Sequence, residues 1–407
     1  MPKKFFTVSK RTDVIQKISS LITLSPFEEE MDILSVVSRV ASRDVFASFS
    51  IPSFKKSLVD GFAVHCEDTG GASNGNPIPL KLVGETHIGD FPSIRLANDE
   101  AVFTPTGGVV VDGANAVVMF EYTEMRGNEI FITKEVSKGE NVLPVGDDIQ
   151  KDSIILEKGD FITPEKVAGI RSFGIKKVFV FKPVKVGIFA TGDELYDEGE
   201  LGKGKIYDSN SYALAAEVIK DGFIANRYEI VKDDKEKIIS TLKTALTEND
   251  VVLMSGGTSK GSFDFTVEAI DLLGKPGVVI HGMHLSPGKP TVFGVIDGKL
   301  IVGLSGNPLA SFLVYRSVVR NIIFQKMGIK LKRKVVFAEI TENIPSRKGR
   351  EEFIIGKFSL NKSKNFVTPI FSESAFVSPL LFGDGIITIP LMSEGLKKGE
   401  KVMFELW

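Results

Sequence analysis

The chain has 407 residues, 43% hydrophobic and 25% charged, which is ordinary for a soluble globular protein and long enough for roughly two to four domains. Fifty Lys and Arg against 52 Asp and Glu give a formal charge of −2, which argues against a general basic footprint for nucleic acid. No apolar run approaches the ~18 residues that cross a bilayer, Cys66 stands alone and so excludes an internal disulfide, and MPKKFFTVSKR has no apolar signal core. The expectation is a cytoplasmic protein with neither membrane nor nucleic-acid partner.

Helical periodicity runs through DVIQKISSLI and again through EEEMDILSVVSRVASRDV. Ser25 with Glu28 three residues later, and Pro26 between them, predicts a capped start for the second helix. From about 49 to 141 short apolar runs such as AVFTP, NAVVMF and EIFITKEV are split by Gly, Asn and Asp, the texture of a small β domain. Short strands and one helix follow, and Pro183 marks a boundary. From 184 to 328 strands (VKVGIFA, ANRYEIV, DVVLMSGG, GVVIHGM, TVFGVI, KLIVGL) alternate with helices, the last being NPLASFLVYRSVVRNIIFQKMG. That alternation predicts βαβ crossovers and a mainly parallel sheet. Beyond 330 the pattern is strand-like, with no convincing helix.

Ligands of an open parallel sheet bind beyond the carboxyl ends of its strands, and three strands end there in ATGDEL (190–195), SGGTSKG (255–261) and GLSGNP (303–308). Small residues admit a ligand close to backbone N–H groups, and the following helix points its positive end at it. Asn307 as N-cap with Pro308 at N1 specifies one such helix start. Phosphates or other oxyanions are the expected ligands, with Lys289 as a point charge. The carboxylates of Asp193, Glu194, Asp208 and Asp264 beside an anion site make sense if Mg²⁺ bridges them to phosphate oxygens. Asp208 and Ser209 serve equally well as helix caps. There is no P-loop, no G-x-G-x-x-G after the first strand and no G-x-S-x-G elbow. His281 and His284 in HGMH read as structural, and the basic stretch GIKLKRKVV as a solvated face.

Taken in order, SLVDGFAV (57–64), PTGGVVVDGANAVVMFE (105–121), GENVLPVGDDI (139–149), ATGDEL, GKIYDSNSY (204–212), SGGTSKGSFDF (255–265), SPGKP (286–290), GLSGNP and GREEF (349–353) resemble the molybdopterin molybdotransferases, the MoeA family that includes the gephyrin E domain. The likeness runs almost end to end. It implies an elongated homodimer of multidomain α/β plus β architecture. Residues 1–48 with 142–181 would form a dimerisation domain and 49–141 a small β domain. Residues 182–328 would be the α/β domain binding pterin and nucleotide, and 329–407 a C-terminal β domain. It also implies Mg²⁺-dependent insertion of molybdate, or tungstate, into adenylylated molybdopterin with release of AMP. The upstream molybdopterin adenylyltransferase would be a further partner.

Carried over by motif, Glu194 and Asp264 are the central acids and metal ligands, with Asp60 and Asp148 as further catalytic acids. Thr106, Gly107, Asp208, Ser209, Asp234, Ser255, Gly256, Gly257, Lys260, Lys289, Ser305, Gly306, Asn307, Pro308, Ser374 and Ser378 fall at substrate-binding positions. The chain departs from the family pattern where it has Ser286 and Ser305 in place of lysine and proline, and Ser262 and Phe263 in place of an acid and tyrosine. Leu143 replaces a basic residue, and Lys260 is gained. These departures leave a second reading, a pterin-binding or scaffold protein of the same fold with little or no turnover.

Overall fold

The computed structural model describes residues 8–24, 27–256, 262–331 and 333–407, without the side chains of residues 262–264. The chain divides into two compact units: Met1–Arg43 with Lys158–Thr163 and Lys177–Trp407, and Asp44–Glu157 with Pro164–Lys176.

The larger unit is built on a six-stranded sheet in the order Ile224–Arg227, Lys185–Ala190, Val251–Ser255, Lys299–Leu304, Val292–Ile296, Pro276–His281. The first four strands are parallel, Val292–Ile296 runs against them, and Pro276–His281, antiparallel to that strand, returns to their direction. Successive side chains of a strand point to opposite faces. Accordingly Ile188, Val251, Leu253 and Val302 enter one core, while Phe189, Val252, Met254 and Ile301 enter another. Helices cover both faces, which is why these strands read as continuous apolar runs. Full burial of each such side chain contributes on the order of 1.5–3 kcal/mol.

In the same unit a second sheet is formed by the chain beyond 330. The strands Glu351–Asn361, Lys364–Pro369, Val335–Ile340, Lys401–Leu406 and Gly385–Ile389 pair in that order, and the last pairs back onto the first. Five strands therefore close into a small barrel around Ile340, Val367, Ile387 and Phe404. Closure leaves no open edge. The smaller unit holds a third, six-stranded sheet, Ala116–Met119, Gly61–Val64, Glu100–Thr104, Ile78–Glu85, Glu129–Ile132, Thr123–Arg126, packed on Phe62, Leu80, Ile130 and Ile132. No helix among the described residues is long and apolar enough to cross a membrane.

Two local expectations fail. Glu28–Asp32 is a strand, not the start of a helix, and pairs antiparallel with Lys177–Phe181. Ion pairs of Arg43 with Glu28 and of Arg39 with Glu29 staple it there. The backbone partner comes from 150 residues away, so tertiary pairing overrides local propensity. The capping residues Ser25 and Pro26 lie outside the described residues. Beyond 330, Ser378–Phe382 is a short helix where none was expected.

The long helix from Pro308 runs to Met327 through a π turn at Tyr315–Val319. There it meets buried charge on the helix Asn210–Lys220. Tyr315 Oη donates to Asp221 Oδ2 at 2.9 Å, Arg320 Nε lies 2.9 Å from Asp221 Oδ1, and Arg316 Nη1 lies 3.4 Å from Glu217 Oε1. Burial pushes the Asp221 carboxyl up from 3.8 to about 6, outweighing the opposing pull of Arg320 and Tyr315. A raised acid favours the fold in its neutral form. Its contribution is complete below pH 3.8 and is lost as pH rises through about 6. The stability of Asp221→Asn relative to wild type should therefore grow across that window. Denaturant unfolding of both proteins at each pH checks this, and a flat difference would reject it.

Candidate functional site

Three parallel strands place their carboxyl ends side by side: Thr191 N donates to Ser255 O at 2.8 Å, and Gly256 N to Leu304 O at 3.3 Å. Beyond them opens a crevice of about 720 Å³. Nine expected residues line it: Glu194, Asp208, Ser209, Ser255, Gly256, Ser305, Gly306, Asn307 and Pro308. Asn210 ties its floor together, Nδ2 donating to Ser255 Oγ and to Gly306 O, both at 2.8 Å. The buried oxygens Asn210 Oδ1 and Thr191 Oγ1 have no protein partner among the described residues. Such atoms are costly to bury unless a ligand or water satisfies them.

Gly256 is fixed by sterics. Its φ is +108°, and a Cβ there would lie 2.2 Å from the Thr191 carbonyl oxygen. Asp208 acts at the start of its helix, its Oδ1 accepting from Ser211 N at 3.0 Å and its Oδ2 bonded to Ser211 Oγ. Its capping reading is therefore realised, in a buried carboxylate that also faces the crevice. Asn307 does not cap: its Nδ2 donates to Ser374 Oγ at 2.7 Å, in the chain beyond 330, while Pro308 holds N1. Ser305, where the family pattern has proline, accepts from Asn307 N at 3.2 Å and so braces the turn.

The crevice mouth is acidic. Burial, then Asp193 and Glu194, raise the Asp233 carboxyl above its ordinary value. Glu194 O accepts from Ile206 N at 3.0 Å, while its carboxylate oxygens lie 2.7 and 2.8 Å from where a Cβ on Gly192 would be. No cluster of three or more His, Cys, Asp or Glu side chains forms a ready metal cage among the described residues.

A second cavity of about 1010 Å³ shares Pro290, Ser305 and Asn307 with the crevice. Lys289 and Ser374 lie there, as do Arg347, Lys348 and Arg350, which the sequence reading did not single out as binding residues. Their density in SRKGREE was a signal available in the sequence. His284 also lines this cavity, its Nδ1 lying 2.9 Å from Gly349 O.

Other expected residues stand apart from these cavities. Asp234 is the N-cap of Lys235–Glu248, accepting from Glu236 N and Lys237 N. Ser378 is exposed at the start of its short helix. In the smaller unit Asp60 Oδ1 accepts from Thr106 N at 2.7 Å and Thr106 Oγ1 at 3.0 Å, beside Gly107 at φ +85°. Leu143 pairs across strands with Lys56, so a cation stands next to the position where the family pattern has one. Asp148 lines a separate cavity of about 670 Å³ in that unit. Gly257, Lys260 and the side chains of Ser262, Phe263 and Asp264 lie outside the described residues.

Three family models match in succession: MoeA N-terminal region (domain I and II) at 9–174, probable molybdopterin binding domain at 187–325, and MoeA C-terminal region (domain IV) at 338–407. The chain is 37% identical over 399 residues to a Methanocaldococcus jannaschii protein named as a candidate molybdopterin biosynthesis protein, covering 96% of this chain and 94% of that one. It is 32% identical over 369 residues to the molybdopterin molybdenumtransferase of Staphylococcus aureus, covering 90% and 88%. The crystal structure of a molybdopterin biosynthesis MoeA protein from Pyrococcus horikoshii matches with a TM-score of 0.84 at 33% identity, covering 98% of this chain and 99% of that one.

The steric demand at the crevice floor is open to test. Gly256→Ala should lower stability by about 2 kcal/mol or more, because it adds both strain at positive φ and a backbone clash. Gly202→Ala, with only Lys205 Cγ 3.8 Å from the added carbon, should change it by no more than about 0.5 kcal/mol. Urea unfolding of the two variants compares them, and equal midpoints would refute the assignment.

Proposed function

The chain belongs to the MoeA family and is a transferase of molybdenum cofactor biosynthesis; from that premise we propose that it inserts molybdate, or tungstate, into adenylylated molybdopterin and releases AMP. The observation that carries this reading is the pairing of two cavities through one wall of Pro290, Ser305 and Asn307. One is rimmed by carboxylates at a parallel-sheet edge and suits a phosphoanhydride with its cation. The other has Lys289 and arginines in its wall and suits a free oxyanion.

In this reading Ser255, Gly256, Gly257, Ser209, Gly306 and the start of the helix at Pro308 receive phosphate and pterin. Lys289 and Ser374 hold the oxyanion, and Lys260 and Ser378 keep their reading as further substrate-binding residues. Glu194 and Asp264 are the residues that would hold Mg²⁺, which supplies neutralisation of phosphate charge. The same two carboxylates orient water and take its proton as its oxygen attacks phosphorus and the anhydride bond breaks toward AMP. Asp208 and Asp234 keep their reading as substrate-binding acids beside the helix starts they also brace. Asp60 and Asp148 keep their reading as further catalytic acids, and Thr106 and Gly107 theirs as substrate-binding residues. We further place the reaction in the cytoplasm, in a homodimer joined through 1–48 with 142–181 and supplied by the upstream adenylyltransferase. The remaining segments keep the roles expected of them: 49–141 as the small β domain, 182–328 as the pterin domain and 329–407 as the C-terminal β domain.

Incubation with adenylylated molybdopterin, Mg²⁺ and molybdate or tungstate should release AMP only when an oxyanion is present. Absence of oxyanion-dependent AMP would sink the proposal. Glu194→Gln and Asp264→Asn should each slow that release by about 10²–10⁴-fold with unfolding midpoints unchanged. Full rates in either variant would remove that residue from the mechanism.

A further inference from the structure

The wall of the cationic cavity is assembled from segments remote in sequence. Ser9 N donates to Gly282 O at 3.2 Å and His284 N to Ser9 O at 2.9 Å, so the start of the described chain lies as a strap along 282–284. That segment closes the turn carrying Lys289, through Met283 N to Lys289 O at 2.9 Å. On its other side Glu351 N donates to His284 O at 2.9 Å, joining it to the barrel strand Glu351–Asn361.

One side chain binds this stack. Arg11, at the start of the helix Arg11–Leu21, donates from Nε and Nη2 to the two carboxylate oxygens of Glu351 at 2.7 and 2.9 Å. Its Nη1 reaches Ser317 O in the π turn at 3.4 Å, and its guanidinium lies 5.8 Å from the centre of the Phe353 ring. The pair is largely shielded, with side chains 19% and 17% exposed, so the bonds are not screened as surface pairs are. Neither Arg11 nor Glu351 lines the cavity, but Arg350 and Glu352 on either side of Glu351 do.

We propose that Arg11 is a positioning residue for oxyanion binding. Its paired bonds to Glu351 hold the barrel strand in the register at which Arg350 shares the cavity with the Lys289 turn. The inference rests on the reading of that cavity as an oxyanion site. With Ser286 where the family pattern has lysine, the turn itself carries a single cation, so the placement of Arg350 matters more here. Charge-assisted hydrogen bonds to an oxyanion weaken within a few tenths of an ångström. Only a planar fork reaches two carboxylate oxygens and a backbone carbonyl together, which a lysine does not.

The test is calorimetric titration of the full chain with molybdate and with tungstate, using AMP as a separate probe of the crevice. Arg11→Gln should weaken both oxyanions about tenfold, a loss of about 1.4 kcal/mol, while AMP affinity holds and the unfolding midpoint falls, because Glu351 is left shielded without its partner. Arg11→Lys should fail to restore affinity, and Glu351→Gln should weaken it independently of any folding defect at position 11. The double variant Arg11→Gln with Glu351→Gln should be no worse than Arg11→Gln alone, because both remove one interaction. Unchanged oxyanion affinity in folded Arg11→Gln overturns the inference, as does equal loss of AMP and oxyanion. Wild-type protein that takes up neither oxyanion overturns the cavity reading itself.

Discussion

Everything at the crevice depends on four strands that run the same way, the inner three of them buried on both faces. Because Ile224–Arg227, Lys185–Ala190, Val251–Ser255 and Lys299–Leu304 are parallel, their carboxyl ends come out at one edge. Backbone groups there have no further strand to bond to, and the residues that follow must be small enough to turn at once. Gly256 packs against the Thr191 carbonyl with no room for a side chain. The result is a floor of backbone and amide groups whose loose ends, Asn210 Oδ1 and Thr191 Oγ1, remain for a ligand.

Onto this edge the fold adds charge of both signs, and in the second cavity Arg350 Nη2 lies 3.2 Å from Glu352 Oε1. Carboxylates gather at the crevice mouth, where burial and then Asp193 and Glu194 disfavour the ionised form of Asp233. Cations gather in the neighbouring cavity, brought largely by the barrel. An anion and a cation-bridged phosphate would each be discouraged from the other's compartment, yet Asn307 and Ser305 touch both. The bond from Asn307 to Ser374 then makes the wall a joint product of the sheet and the chain beyond 330.

The long helix from Pro308 connects these features to the interior. Its first residue lines the crevice, its π turn offers the Ser317 carbonyl to Arg11, and the same turn meets the buried acids Asp221 and Glu217. A π turn offsets the hydrogen-bond ladder, which frees such groups for other contacts. Arg316 also lies 4.8 Å from the centre of the Trp407 ring, tying the barrel to the helix at a second point.

Much of this was legible in the sequence because it is local. Apolar runs named the strands of the α/β sheet, the glycine-rich strand ends named the crevice, and nine of the residues expected there line it. The ordered motif blocks identified the family. What the sequence alone could not decide is which distant groups meet. That Asp234 also caps a helix shows only in the packed structure, where its carboxylate faces two N–H groups. Glu28–Asp32 looked helical until a strand from far along the chain paired with it. The arginines of SRKGREE gained meaning from a cavity shared with Lys289, and Arg11 from Glu351, 340 residues away. Residue type and local pattern set what each side chain is able to do; chain folding over hundreds of residues set which neighbour it does it with, because that depends on closure and packing that no local window contains.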